Sequence, residues 1–211
     1  MSINLSEFAN YLTICLSISL VILAVFNGIL LRRGVKKNYK ALSFYIISCC
    51  VFDLIGWGLS YYGKSNIGLL PYFNSIELAL FLYFLKQEQR PYIAYILLFI
   101  GVLISLADLF QIQAIFPGFM NIGRVFNSLV IISLVFRHLF VNFELGPQVR
   151  FYYTLLFYFS ITFIHFLLLD FLIHVPSDLK FIFWMIYALS CGVFYVIITR
   201  FLWKYGKTPP F

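Results

Sequence analysis

Six ionisable side chains stand inside apolar runs of this 211-residue chain: Asp53, Glu77, Asp108, Arg124, His165 and Asp170. Each costs a few kcal/mol to hold in hydrocarbon, so each needs a partner, a water-filled cavity or a functional use. Carboxylates in that setting carry protons or hold cations, an arginine neutralises a carboxylate, and a histidine does acid–base work or ligates a metal. At 100° per helical residue, Asn74, Glu77 and Phe81 share a face, as do Cys49, Asp53, Gly56, Trp57 and Ser60, and again Asn121, Arg124 and Ser128; Thr162 lies close to His165. These faces are expected to converge, with Arg124 paired to Glu77 or Asp53 at the centre. The candidate ligand- or ion-binding residues are Asp53, Glu77, Arg124, His165, Asn74 and Trp57, the last because its ring shares the Asp53 face and can hold a cation.

Counted from the middle of each run at about 1.5 Å per residue, Asp53 and Glu77 fall near the midplane and the other four toward one side. Six such residues at or beyond the midplane suggest one polar cavity open to that side, over an apolar floor. Four carboxylates against one arginine give it a formal surplus of three negative charges, which protonation of desolvated carboxylates would lower. The competing reading is structural, since polar groups in membrane bundles hydrogen-bond helices together and a Glu–Arg pair is as readily a staple as a ligand site. Asp108 and Asp170 lie near a span end, where solvation makes a structural role the better expectation. His165 has no second histidine at i+3 or i+4, and reads as a hydrogen-bonded core histidine; neither a metal nor a cofactor is expected. Cys15, Cys49, Cys50 and Cys191 lie within apolar runs without C-x-x-C spacing, and read as small buried residues.

The elements that must position these groups follow from composition. With 63% hydrophobic, 21% aromatic and 11% charged residues and a mean hydropathy of +0.95, a water-soluble domain, a disordered chain and a nucleic-acid binder are excluded. Seven windows approach the roughly 20 apolar residues a membrane helix requires: 8–31, 41–62, 68–85, 91–109, 119–141, 151–174 and 179–203. None alternates apolar and polar as a barrel strand would, and no proline falls mid-window. The expected fold is an all-α integral membrane protein, residues 1–211 forming one bundle of seven transmembrane helices joined by short links. Twelve basic residues fall on one side (Arg32, Arg33, Lys36, Lys37, Lys40, Lys86, Arg90, Arg137, Arg150, Arg200, Lys204 and Lys207) and two, Lys64 and Lys180, on the other. The positive-inside rule then places the N-terminus outside and the C-terminus in the cytoplasm. The first window lacks a basic leader and is expected to remain as a span. A short internal echo, Phe73-Asn74-Ser75-Ile76 and Phe126-Asn127-Ser128-Leu129, recurs 53 residues apart in two windows of the same direction.

Three function classes fit these features. The first is a sensor or ligand-binding bundle with an outward-facing acidic cavity, suited to a small cationic ligand or a proton, whose basic loops could contact a cytoplasmic protein partner. The Schiff-base lysine of retinal proteins is missing from the seventh window, and Asp-Arg-Tyr and Asn-Pro-x-x-Tyr are absent. The second is a proton- or cation-coupled transporter or channel using midplane carboxylates. The third, an intramembrane lipid-processing enzyme, is disfavoured because no G-x-S-x-G, H-E-x-x-H or paired histidine–carboxylate spacing occurs; no catalytic residue is assigned. The expected partners are the lipid bilayer, by composition a bacterial cytoplasmic membrane, and no nucleic acid.

Overall fold

The computed structural model describes residues 5–85, 91–109, 121–141, 147–174 and 179–207, and over these the chain is helical, with a single isolated β-bridge. The helices are α1 (Leu5–Arg33), α2 (Lys40–Tyr61), α3 (Leu70–Phe84), α4 (Pro91–Leu109), α5 (Ile122–Val141), α6 (Pro147–Leu167), α7 (Leu169–His174) and α8 (Leu179–Tyr205). Prolines open three of them at α3, α4 and α6, where the missing N–H has no helical partner to lose. Gly34, at φ 94°, closes α1 in the left-handed conformation that favours glycine. Among the described residues four helices are long and apolar enough to cross a membrane: Leu5–Arg33, Lys37–Tyr61, Ile122–Val141 and Lys180–Tyr205, with Tyr92–Asp108 a shorter apolar one.

Two windows differ from expectation. The third is shorter, because residues Ile67–Leu69 form a 3₁₀ turn and α3 starts only at Leu70. At 15 residues α3 spans about 22 Å, and it sits inside the bundle against α2, α4 and α5, where it needs little lipid-facing length. The sixth window breaks at Leu168, which separates α6 from the one-and-a-half-turn α7; the bonds from Leu168 N–H to Ile164 O and from Leu172 N–H to Leu168 O carry the chain through the bend.

Helices α2, α3, α5, α6 and α8 form an inner ring, with α1 packed outside on α2 and α8, and α4 outside on α3 and α5. Close approach at the outer helices rests on small residues. A Cβ on Gly123 of α5 would stand 2.7 Å from Ser105 Oγ and 3.0 Å from Ser105 Cα of α4. Asn27 of α1, fully buried, donates from Nδ2 to Thr199 Oγ1 of α8 at 2.8 Å.

The ring is filled by aromatic side chains in two layers. The deeper joins Tyr45, Phe81, Phe159 and Phe194, with Tyr45–Phe81 and Phe81–Phe159 centroids both 4.9 Å apart. The second joins Tyr39, Phe84, Phe151 and Phe201, the last two stacked at 4.2 Å. This layer brings together the C-terminal ends of α3 and α8 and the N-terminal ends of α2 and α6, and Lys36 N–H bonds Gly206 O at 2.8 Å beside them. Arg32, Arg33, Lys36, Lys37, Lys40, Arg137, Arg150, Arg200, Lys204 and Lys207 therefore gather at one end of the bundle, called here the basic end; Lys86 and Arg90 lie outside the described residues.

Candidate functional site

The deepest charges in the structure form one unit. Arg124 stands in the first turn of α5, three residues after Asn121, whose φ of 67° sets the direction in which α5 begins. Its side chain runs into the ring and its Nη1 donates to Glu77 Oε2 of α3, the only ion pair among the described residues. Their side chains are 3% and 0% exposed. A charge pair so far from water survives only if geometry and further hydrogen bonds offset its desolvation. Several do. Arg124 Nη1 also reaches Asn74 Oδ1 at 3.4 Å, and Tyr45 Oη donates to Glu77 Oε1 at 3.1 Å. The guanidinium lies over the rings of Phe73 at 5.2 Å and Phe166 at 5.5 Å, held between α3 and α6 by cation–π attraction.

From Glu77 a chain of hydroxyls leads sideways across the ring. Tyr45 Oη lies 3.4 Å from Tyr158 Oη of α6, which lies 3.7 Å from Cys191 Sγ of α8. Below it the Phe81–Phe159–Phe194 layer separates the polar cluster from the basic end. The echoed motifs meet here: Asn127 Nδ2 of the second donates to the backbone carbonyl of Asn74 in the first, at 2.9 Å. Not every buried group is satisfied. Arg124 Nε, Asn74 Nδ2, Asn127 Oδ1, Ser128 Oγ and His165 Nε2 have no hydrogen-bond partner among the described residues.

His165, 7% exposed, is stacked on Tyr187 at 4.3 Å and 8° and lies 5.3 Å from the Trp184 ring. It is thus a core histidine held by ring stacking, with Nε2 unpartnered where a hydrogen bond was expected. It lines a cavity of about 330 Å³ with Leu169, Leu172, Lys180, Phe181 and Trp184, at the end opposite the basic one. The next residue, Phe166, is the ring over which Arg124 lies, so cavity and ion pair share one stretch of α6.

The six candidate residues divide. Glu77, Arg124 and Asn74 are brought together, and His165 lies beside them. Asp53 and Trp57 belong elsewhere, because the α2 face that carries them also meets α1: Trp57 Nε1 donates to Ser17 Oγ at 3.1 Å, and Ser17 is the polar neighbour of Asp53 as well. Asp53 takes no part in the bonds to Arg124, whose carboxylate partner is Glu77. Asp108 accepts from Gly123 N–H at 2.8 Å and so caps α5 from the neighbouring helix. The side chain of Asp170 lies outside those described. The three described carboxylates of the apolar runs, Asp53, Glu77 and Asp108, therefore do not pool into one acidic cavity, and Glu77 is neutralised by Arg124. Tyr45 and Tyr158 joined the cluster without being singled out, and Cys191 and Asn127 joined it although they were read only as a small buried residue and as part of the echoed motif; a phenol far from a span end is the signal that marks the two tyrosines, since its hydroxyl needs a partner there.

Fold and site define an all-α bundle with membrane-capable helices around one internal ion pair. Compared with known proteins, the chain matches no family model, no curated protein and no solved structure.

Proposed function

We propose that the protein is a multi-pass membrane sensor, in a cell membrane and by composition a bacterial cytoplasmic one, with its basic end in the cytoplasm. Ligand enters the His165 cavity from the opposite side, and occupancy is felt by the Glu77–Arg124 pair. The observation that carries this reading is His165 Nε2, unpartnered among the described residues in the wall of a preformed cavity, one residue before the Phe166 ring over which Arg124, its Nε likewise unpartnered, lies. Buried polar atoms of this kind are uncommon, and a ligand or a rearranged state that pairs them gains the free energy they forfeit here. Glu77 is engaged by Arg124, and among the described residues no carboxylate lines the cavity. Its lining of Trp184, Phe181, Leu169 and Leu172, with Lys180 and His165, suits instead an aromatic or monoacyl carboxylate. A small cation or proton as ligand is the runner-up.

The test is titration of the detergent-solubilised full chain with indole-3-carboxylate and with decanoate, followed by tryptophan fluorescence, using Trp184→Phe to assign the signal. Saturable quenching at Trp184, weakened at least about tenfold in His165→Ala and Lys180→Gln proteins that melt like wild type, supports the sensor reading. Linear, unsaturable responses identical in both variants would overturn this ligand site.

The alternative is a proton-coupled carrier. It draws on the Glu77–Tyr45–Tyr158–Cys191 chain, which a proton could follow. That chain runs across the ring rather than through it, above the Phe81–Phe159–Phe194 layer, and so favours the sensor.

A further inference from the structure

At the basic end a second concavity, of about 520 Å³, opens between the start of α6 and the end of α8. Its mouth carries Arg150, Arg200 and Lys204, all exposed. Arg200 and Lys204 are four residues apart on α8 and so project from one face, and Arg150 faces them from the first turn of α6. None of the three is in an ion pair with a described residue. The described carboxylates, Glu7, Asp53, Glu77 and Asp108, line none of it. The floor is the stacked pair Phe151 and Phe201, 2% and 6% exposed, which closes the groove from the bundle interior. One turn deeper toward the membrane middle, Thr154 on α6 and Ile197 on α8 line the walls. The hydroxyl of Thr154 is bonded to Arg150 O at 3.0 Å, so that wall presents a methyl group. The groove is thus cationic at its mouth and apolar below, and it opens on the surface of the bundle between α6 and α8.

We infer that this groove is a binding site for an anionic phospholipid, its phosphate held by Arg150, Arg200 and Lys204 and one acyl chain lying along Thr154 and Ile197. Guanidinium groups bind phosphate oxygens in a two-pronged geometry that a diffuse surface charge cannot match. Basic pockets between membrane helices at the cytoplasmic face are where such head groups collect. Three cations favour a lipid with more than one phosphate charge, so a diphosphatidylglycerol is preferred to a phosphatidylglycerol, and either to a zwitterionic phosphatidylcholine. The phosphate chemistry alone would also accept a free phosphate ion. The apolar lower half of the groove selects the lipid.

The test is native mass spectrometry of the full chain in detergent, with diphosphatidylglycerol, phosphatidylglycerol, phosphatidylcholine and inorganic phosphate as separate probes. One variant carries Arg150→Gln, Arg200→Gln and Lys204→Gln; a charge-matched control carries Arg32→Gln, Arg33→Gln and Lys36→Gln at the same end. The expected result is retention of diphosphatidylglycerol at least about tenfold above phosphatidylcholine, an equal loss of that preference in the groove variant, and less than a twofold change in the control. Equal losses in both variants would overturn the site in favour of a general surface potential. Competition by millimolar inorganic phosphate at full strength would overturn the lipid assignment in favour of a soluble anion. Arg200→Gln alone, expected to lose about half of the preference on a logarithmic scale, serves if the triple variant fails to fold.

Discussion

Replacing Glu77 by glutamine isolates the charge of the buried pair. Gln is close to isosteric: its carbonyl oxygen can take the place of Oε2 and accept from Arg124, while its amide nitrogen, in the place of Oε1, donates to Tyr45 Oη where the carboxylate accepted, so the shape and the bond to Arg124 are kept while the negative charge is lost. The Arg124 guanidinium, with its side chain 3% exposed, is then left without a counter-charge. Removing one partner of a buried pair costs about 3–5 kcal/mol, and insertion scales put a lone charge at a membrane helix centre at about 2.5–3.5 kcal/mol. Arg124 sits in the first turn of α5, from which its long side chain can swing partly toward water, so the lower half of that range is expected, about 2.5–4 kcal/mol. This is a large part of a total stability of about 5–15 kcal/mol. The assay is reversible unfolding in mixed micelles, followed by circular dichroism, for wild type, Glu77→Gln, Arg124→Gln and the double variant. The double variant should lose less than the sum of the singles, with a coupling of at least about 1.5 kcal/mol. A Glu77→Gln protein within about 0.5 kcal/mol of wild type, with additive singles, would refute the reasoning, because Arg124 would then not depend on Glu77.

Other perturbations separate the supports of the site. Tyr45→Phe removes the hydroxyl shared by Glu77 and Tyr158 and should cost about 1.5–3 kcal/mol in the same assay, as expected for a bond to a charged group. Gly123→Ala places a methyl group against the backbone of Ser105 and should cost about 1–3 kcal/mol, with α4 pushed outward. Asp108→Ala removes the cap on α5 and should cost about 0.5–2 kcal/mol, seen also as faster amide exchange in the first turn of α5. Asn27→Leu breaks the bond to Thr199 but also removes the unpartnered Oδ1, so its cost should stay under about 1 kcal/mol by thermal unfolding.

How much of this was legible beforehand depends on the kind of signal. Long apolar runs and the placement of prolines gave the helices to within a few residues, because burying backbone in hydrocarbon leaves almost no alternative to a helix. The bend at Leu168 carries no such mark, since no proline or glycine stands there and the apolar pattern runs on unbroken. Pairing of Glu77 with Arg124 could be anticipated from cost alone, as two opposite charges in apolar runs must meet something. Asp53 could not be told from Glu77 by that logic. Its face of α2 also meets α1, and which neighbour wins is a matter of ring order that no periodicity encodes. The repeated Phe-Asn-Ser motif was visible, yet its meaning, one asparagine bonding the backbone beside the other, needed α3 and α5 in contact. Tyr45 and Tyr158 were lost among 15 tyrosines, most of which suit a membrane interface.

The sensor reading is tested most directly by flux. Full-length protein is reconstituted into liposomes holding a pH-sensitive dye, a proton or potassium gradient is imposed, and wild type is run beside Glu77→Gln. The Phe81–Phe159–Phe194 layer and the neutralised pair predict dissipation no faster than in protein-free vesicles for both. Flux that scales with wild-type protein and disappears in Glu77→Gln would contradict the sensor and make Glu77 the coupling residue of a carrier.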